Sequence, residues 1–345
     1  MKKRLLSLFL LICLALLQLS ACAPGGPSVK RYYEYFNTES VVTVWDAGEG
    51  NTDGEVFDTV RSILGEYHKL LDIYYEYSGM NNLATVNRLA GTEAVEVDGR
   101  LIDFLLYAKD MHTLTGGEMN IALGAVTRMW HDCREAAALD PSAARIPSRA
   151  DLIAAAAHTD INHLVLDRSA STVSFTDSRL RLDVGALGKG YATELVRRAL
   201  IEMGVVSCTL NIGGNIAIIG KKPDGSDFLT GITNPKKGVK GEDAIITTIP
   251  LSDLSCVTSG DYERYYYVGN IRYHHVIDPD TLMPAAHFAS VTVICEDGGL
   301  CDALSTALFC MTETEGRVLL DTLSEIYDIR VLWIDADNNI SRYGF

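Results

Sequence analysis

The chain has 345 residues, 48% of them hydrophobic, and sets 30 Lys and Arg against 45 Asp and Glu for a formal net charge of −15 at pH 7. That length buries a large core, as one big domain or two lobes. The acidic balance leaves no basic stripe for DNA or RNA, and the eight cysteines show no CxxC spacing for a zinc ribbon or thioredoxin-type motif.

Residues 1–21 read as a targeting segment. Lys2, Lys3 and Arg4 precede an apolar run over 5–17 that is too short to span a bilayer. Leu19-Ser20-Ala21-Cys22 looks like a bacterial lipobox, in which Cys22 becomes the lipid-bearing residue. An ordinary secretory signal is the plain alternative. Residues 22–31, rich in Pro and Gly, read as a flexible tether, and 32–345 as one domain. The expected location is therefore outside the cytoplasm, lipid-anchored to the bacterial cell membrane.

Residues 32–45, rich in Tyr and Val, predict a strand. Val56, Val60, Ile63, Leu64, Tyr67, Leu70 and Leu71 recur at helical spacing, which predicts a helix over 55–74. The polar-aromatic run 72–87 either stacks on a planar ligand or simply covers a loop. A helix is expected over 98–115, and Ala-rich helical sequence over 133–157, interrupted at Asp140-Pro141 and Ile146-Pro147. A small hairpin pairs 164–166 with 172–175. A helix over 191–203 is followed by strand, Gly213-Gly214 bend and strand. Residues 221–243 read as a surface excursion, 288–295 as a strand, 302–311 as a helix and 327–334 as a closing strand. Cys133, Cys208, Cys256, Cys295, Cys301 and Cys310 mostly sit in apolar runs and read as buried free thiols, although an exported protein could pair some of them. This mixture predicts an α+β fold with sheets packed by helices.

Three stretches carry chemistry. In Asp183-Val184-Gly185-Ala186-Leu187-Gly188-Lys189-Gly190, a strand end meets a Gly-rich turn and a helix start. Glycine admits close backbone approach, and helix-starting N–H groups attract anions. Asp183 and Lys189 bracket the turn, which suits a phosphate-bearing ligand with a metal ion. A tight connection is the plain alternative, since the glycines fit neither the dinucleotide fingerprint nor the phosphate loop. In Asp302-Ala303-Leu304-Ser305-Thr306, Asp302 and Thr306 share a helix face and offer hard oxygen donors suited to magnesium. A helix cap is the plain reading of that Asp. In His274-His275-Val276-Ile277-Asp278-Pro279, only one of two adjacent histidines can face a given site. The one that does is a candidate general base.

Together with Leu210-Asn211-Ile212-Gly213-Gly214-Asn215 and Thr258-Ser259-Gly260-Asp261-Tyr262-Glu263-Arg264, these stretches resemble, in order, the FAD:protein FMN transferase family, the ApbE-type flavin transferases. The resemblance runs from about residue 33 to the end and implies a single T-fold-like domain. It implies FAD contacts at Phe36, Ala122, Leu123, Gly124, Asp183, Lys189, His275 and Val276. It implies Mg²⁺ held by the Ala186 carbonyl, Asp302, Ser305 and Thr306, with His275 and Asp302 catalytic. The implied reaction is transfer of FMN from FAD to a threonine of an acceptor flavoprotein, releasing AMP. An FAD pyrophosphatase and a non-catalytic lipid-anchored flavin binder are the alternatives. Two departures stand out. Leu282 occupies the usual Gly after Thr281, which is expected to reshape the turn beside His275, and Met119-Asn120 replaces the usual Phe-Asp.

Overall fold

The structure, a computed structural model, describes residues 26–345; the leader and Cys22 lie outside the described residues. In chain order it has β1 (Ser28–Tyr32), β2 (Ser40–Asp46), α1 (Asp53–Leu70), α2 (Leu83–Leu89), β3 (Val95–Glu96), α3 (Gly99–Leu114), α4 (Gly124–Leu139) and α5 (Arg149–Ala156). Then come β4 (Leu164–Asp167), β5 (Thr172–Phe175), α6 (Gly188–Glu202), β6 (Ser207–Ile212), β7 (Asn215–Ile219), β8 (Phe228–Thr233) and β9 (Ile245–Leu251). The chain continues through β10 (Ser255–Gly260), β11 (Tyr265–Val268), β12 (Ile271–His274) and β13 (Ser290–Cys295). It closes with α7 (Gly298–Cys310), α8 (Glu313–Leu323), β14 (Arg330–Ile334) and β15 (Ile340–Tyr343).

Alternation along the strands explains the layers. Successive side chains of a strand point to opposite faces. In β13, Val291, Val293 and Cys295 enter one core while Ile294 enters another; in β14, Val331 and Trp333 part from Leu332 and Ile334 in the same way. These strands belong to one eight-stranded sheet, ordered β1-β2-β6-β7-β10-β13-β14-β15, with every neighbouring pair antiparallel. One face is covered by α6 and α7. The other packs against the β8–β9 ribbon through Phe228, Ile232, Ile249 and Leu251. Burial on both faces is why the central strands read as continuous apolar runs. Each such Val, Leu or Ile contributes roughly 1.5–3 kcal/mol.

Local signals place the helices. Asp98 caps α3 by accepting from the Arg100 N–H, and Thr52 with Glu55 forms a capping box on α1. The sequence expectations hold for α1, α3, α6, the β4–β5 hairpin and the β6–β7 bend, where Gly213 and Gly214 have φ of 56° and 87°. Four expectations are corrected. Residues 32–45 are not one strand: the chain reverses between β1 and β2, with Phe36 and Asn37 both at φ 51°. The tether is shorter than 22–31, because β1 pairs with β2 from Ser28 onward. The excursion 221–243 contains β8, whose alternating burial matches its place over the sheet. Finally, the helix bearing Asp302 begins at Gly298 and is capped by Asp297, so Asp302 is not its cap.

All six described cysteines are free and buried; Cys295 and Cys301 bring their sulfurs within 3.0 Å. Among the described residues no helix is long and apolar enough to cross a membrane.

A smaller core joins α4, α5 and the β11–β12 hairpin through Trp130, Leu152, Tyr266 and Leu282. Leu282 adopts φ 62°, a conformation glycine takes at little cost. The main-chain bond from its N–H to the Asp278 carbonyl (2.8 Å) and the bond from Trp130 Nε1 to its own carbonyl (3.0 Å) hold it there. Its buried side chain therefore offsets a strained backbone. Leu282→Gly relieves about 1–2 kcal/mol of strain and loses a side chain worth roughly 2–5 kcal/mol. The expected net result is destabilisation of about 1–3 kcal/mol in urea unfolding; an unchanged or raised midpoint counts against this balance.

Candidate active site

The glycine turn and the Asp302 helix, far apart in sequence, meet directly. The Gly190 N–H donates to Asp302 Oδ2 at 2.8 Å. A Cβ on Gly190 would lie 2.4 Å from the Asp302 Cβ and 2.5 Å from the Gly298 carbonyl oxygen, so only glycine fits between the helices. Asp302 is 4% exposed. Burial raises its pKa, against the opposing pull of Lys189 and the Gly190 N–H. A carboxylate so placed favours a cation.

The same hydrogen bond has a second consequence. Gly190 donates to Asp302, so it does not close a helical turn onto Ala186, and among the described hydrogen bonds none ends on the Ala186 carbonyl. Thr306 lies one turn beyond Asp302, half-buried. One carboxylate, one hydroxyl and one open carbonyl are hard donors that fit a small divalent cation completed by water and phosphate. Among the described residues no three His, Cys, Asp or Glu side chains gather as a metal site, and this donor set contains only one such side chain. Ser305 differs from expectation. Its fully buried hydroxyl donates to the Asp302 carbonyl (3.0 Å) and pairs with Ser259 (2.8 Å), so it braces the helix.

Helix starts supply a second element. Of the eight α-helices among the described residues, six have an N-cap side chain accepting from the first turn. The two without one are α4 and α6. Uncapped first-turn N–H groups attract anions. Residues 181–183 run between these two starts: Gly124 N–H donates to the Arg181 carbonyl (3.1 Å) and Asp183 N–H to the Ile121 carbonyl (2.8 Å).

A cavity of about 400 Å³ opens beside this segment, lined by Tyr74, Asn87, Gly124, Thr127, His131 and Asp183, among others. Asp183 accepts from Thr127 Oγ1 at 2.7 Å and from the Gly185 N–H at 2.9 Å. Asn87 grips the main chain of Leu182 from both sides, at 2.9 and 2.7 Å. The Tyr74 ring lies 5.1 Å from that of His131, with Arg128 over its other neighbour space at 5.9 Å. Burial and the Asp183 charge raise the Tyr74 pKa.

The two histidines divide their labour. His274 is buried, bonded through Nε2 to the Ala285 carbonyl (2.8 Å) and set edge-on to Phe309, so it is structural. His275 reaches solvent but sits in a concave, crowded wall. Crowding, then Arg264, His274, Lys189 and Arg134, depress its pKa to about 3, so the imidazole is neutral at physiological pH. Arg264 is within electrostatic range of both Tyr74 and His275, and Lys189 of both His275 and Asp302, which ties the cavity to the buried carboxylate. In an acidic chain, cations are gathered here.

The structure thus joins Ala186, Lys189, Asp302, Thr306 and His275 into one region and sets Asp183 and Gly124 on the cavity wall. Ala122 and Leu123 are buried and shape that wall from behind. Val276 has its side chain in the core, donates its N–H to His274 and accepts from the Ala285 N–H through its carbonyl. Phe36 packs against His68 and does not line the cavity. Sequence reasoning missed Thr127, whereas Tyr74 and Asn87 lie in the polar-aromatic run 72–87, for which contact with a planar ligand is one of two readings. Thr127 lies three residues past Gly124 on the first turn of α4, and that spacing was its only signal.

A buried carboxylate, an open carbonyl, two uncapped helix starts and a cluster of cations around a cavity define a protein that handles a phosphate-bearing ligand. The family model for the ApbE family matches residues 36–330, and the chain belongs to that family. It is 30% identical over 273 residues to a FAD:protein FMN transferase of Treponema pallidum (strain Nichols), covering 75% of this chain and 72% of that one. A FAD:protein FMN transferase of Klebsiella pneumoniae (strain 342) is 27% identical over 84% of both chains. The crystal structure of the ApbE protein from Thermotoga maritima MSB8 matches with TM-score 0.78 at 27% identity, over 92% of this chain and 96% of that one.

Two outcomes test the geometry. Gly190→Ala forces a backbone-limited clash and is expected to cost at least ~2 kcal/mol in unfolding experiments. The raised Asp302 pKa means that the metal-free fold gains from this residue at acidic pH and loses that gain as pH rises from the ordinary carboxylate range through the folded pKa. Asp302→Asn is therefore expected to flatten that decline and to raise the metal-free melting temperature at pH 7, where a merely structural aspartate would lower it.

Proposed function

We propose that the chain is an FAD:protein FMN transferase, moving FMN from FAD to a threonine hydroxyl of an acceptor flavoprotein and releasing AMP. The observation that carries this reading is the direct contact of the glycine turn with Asp302, which puts anion-binding N–H groups beside a buried carboxylate. The names of the relatives support the same activity.

In this reading the cavity beside Asp183 takes part of FAD, and the α4 and α6 starts with Lys189 and Arg264 face its pyrophosphate. Asp302, Thr306 and the Ala186 carbonyl hold Mg²⁺. When bound, that ion draws charge from the pyrophosphate oxygens. The acceptor threonine oxygen attacks the FMN-side phosphorus, the bond to the bridging oxygen breaks, and AMP carries that oxygen away. His275, neutral and open to the cleft, takes the threonine proton. Arrival of phosphate charge raises its basicity above that of the empty site. We further propose an extracytoplasmic, lipid-anchored enzyme, with Cys22 as the lipidated residue.

The full chain, FAD, Mg²⁺ and an acceptor fragment are incubated, and flavin fluorescence is read in a denaturing gel. A covalently labelled acceptor is expected, abolished by Asp302→Ala and reduced about 10²–10⁴-fold by His275→Gln. AMP release without labelling would instead indicate hydrolysis of FAD. Labelling that survives Asp302→Ala would falsify the site assignment.

A further inference from the structure

Helices α6 and α7 cap each other. At one end, the Gly190 N–H of α6 donates to Asp302 on α7 at 2.8 Å. One turn along each helix, the relation reverses: the Gly298 N–H of α7 donates to Glu194 Oε2 on α6 at 3.2 Å. Gly190 and Glu194 are four apart on one face, as are Gly298 and Asp302, so the two bonds form the rungs of one clasp.

Glu194 is 4% exposed and is not among the residues that line the cavity. It satisfies four donors: Arg197 Nε and Nη2 (both 2.9 Å), Arg198 Nε (2.7 Å) and the Gly298 N–H. Arg198 then reaches Asp297 at 2.8 Å, and Asp297 caps α7 through the Leu300 N–H at 2.9 Å. One carboxylate thus fixes the start of α7 twice, directly at Gly298 and through Arg198 at Asp297. A helix pinned at its start and clasped one turn later has little freedom to rotate or slide, and Asp302 projects from the clasped turn.

We infer that Glu194 is a positioning residue for Asp302, holding that carboxylate in the orientation that receives a divalent cation. This rests on the metal reading of Asp302 given above. A glutamine cannot replace it: with its oxygen at the Oε2 position it still accepts from the Gly298 N–H and Arg197 Nε, but its NH₂ then meets Arg197 Nη2 and Arg198 Nε head-on, which releases Arg198 from the clasp.

The test measures Mn²⁺ binding to the full chain by the electron paramagnetic resonance signal of free Mn²⁺, without substrate or turnover. Wild type, Glu194→Gln and Asp302→Ala are compared, with melting temperatures recorded in parallel. The expected result is a saturable site in wild type, lost in Asp302→Ala and weakened at least ~5-fold in Glu194→Gln. Glu194→Asp, which keeps the charge, recovers most of the affinity even where its melting temperature matches that of Glu194→Gln. If Glu194→Gln melts lower but binds Mn²⁺ like wild type, Glu194 is only structural and the inference is overturned while the metal reading stands. If wild type binds no Mn²⁺, or Asp302→Ala binds it equally, the metal reading itself fails and the inference falls with it. Should Glu194→Gln not fold, Arg198→Met, which removes the exposed arm from Glu194 to Asp297, is measured in its place: a weakened Mn²⁺ site supports the inference and wild-type affinity overturns it.

Discussion

The hydrogen bond from the Gly190 main chain to Asp302 is the constraint on which the molecule's chemistry rests. A carboxylate in so little water is stable only with partners. Here the partner is an amide at the start of a helix, where the dipole also favours negative charge. The bond requires two helix axes to approach more closely than any side chain at 190 permits. It also diverts the amide that would have closed onto Ala186. Close packing, an electrostatic partner and an available carbonyl therefore arise from one contact.

Around it, the fold uses two of its three cores differently. The large core beneath the eight-stranded sheet fixes α6 and α7 through residues with no water contact, such as Val196, Leu304 and Phe309. The smaller core carries α4 and the segment that ends in Leu282. The site lies where the two meet, so each of its walls is backed by packed side chains. Helices that only build the scaffold have capped starts; the two that face the cleft do not. Helix starts without an N-cap side chain and gathered cations make this part of an acidic protein receptive to phosphate.

Much of the architecture was legible because it rests on local rules. Asp98 and Thr115 bracket α3 as their chemistry suggests, and the Gly213-Gly214 bend sits between the expected strands. The Asp302 and Gly-rich stretches were recognisable by composition, and the structure brings them together. What escaped was non-local. Thr127 meets Asp183 across 56 positions and Asn87 meets Leu182 across 95, and no nearby pattern marks either contact. Ser305 and Val276 show another limit: being next to a functional residue does not determine where a side chain or amide bonds, and the Ser305 hydroxyl and the Val276 N–H both bond within the scaffold. The β8 strand is a case where the signal existed, an alternation from Phe228 to Thr233, but was masked by its polar flanks.

The connection between Gly190 and Asp302 spans 112 positions, with six strands of the sheet and its ribbon formed in between. Contacts of such separation are completed late, since a long loop must close before they return any free energy. The cleft is therefore among the last features to exist as the chain folds. A polypeptide that has collapsed but not finished its sheet holds every one of these residues without the contact that assembles them.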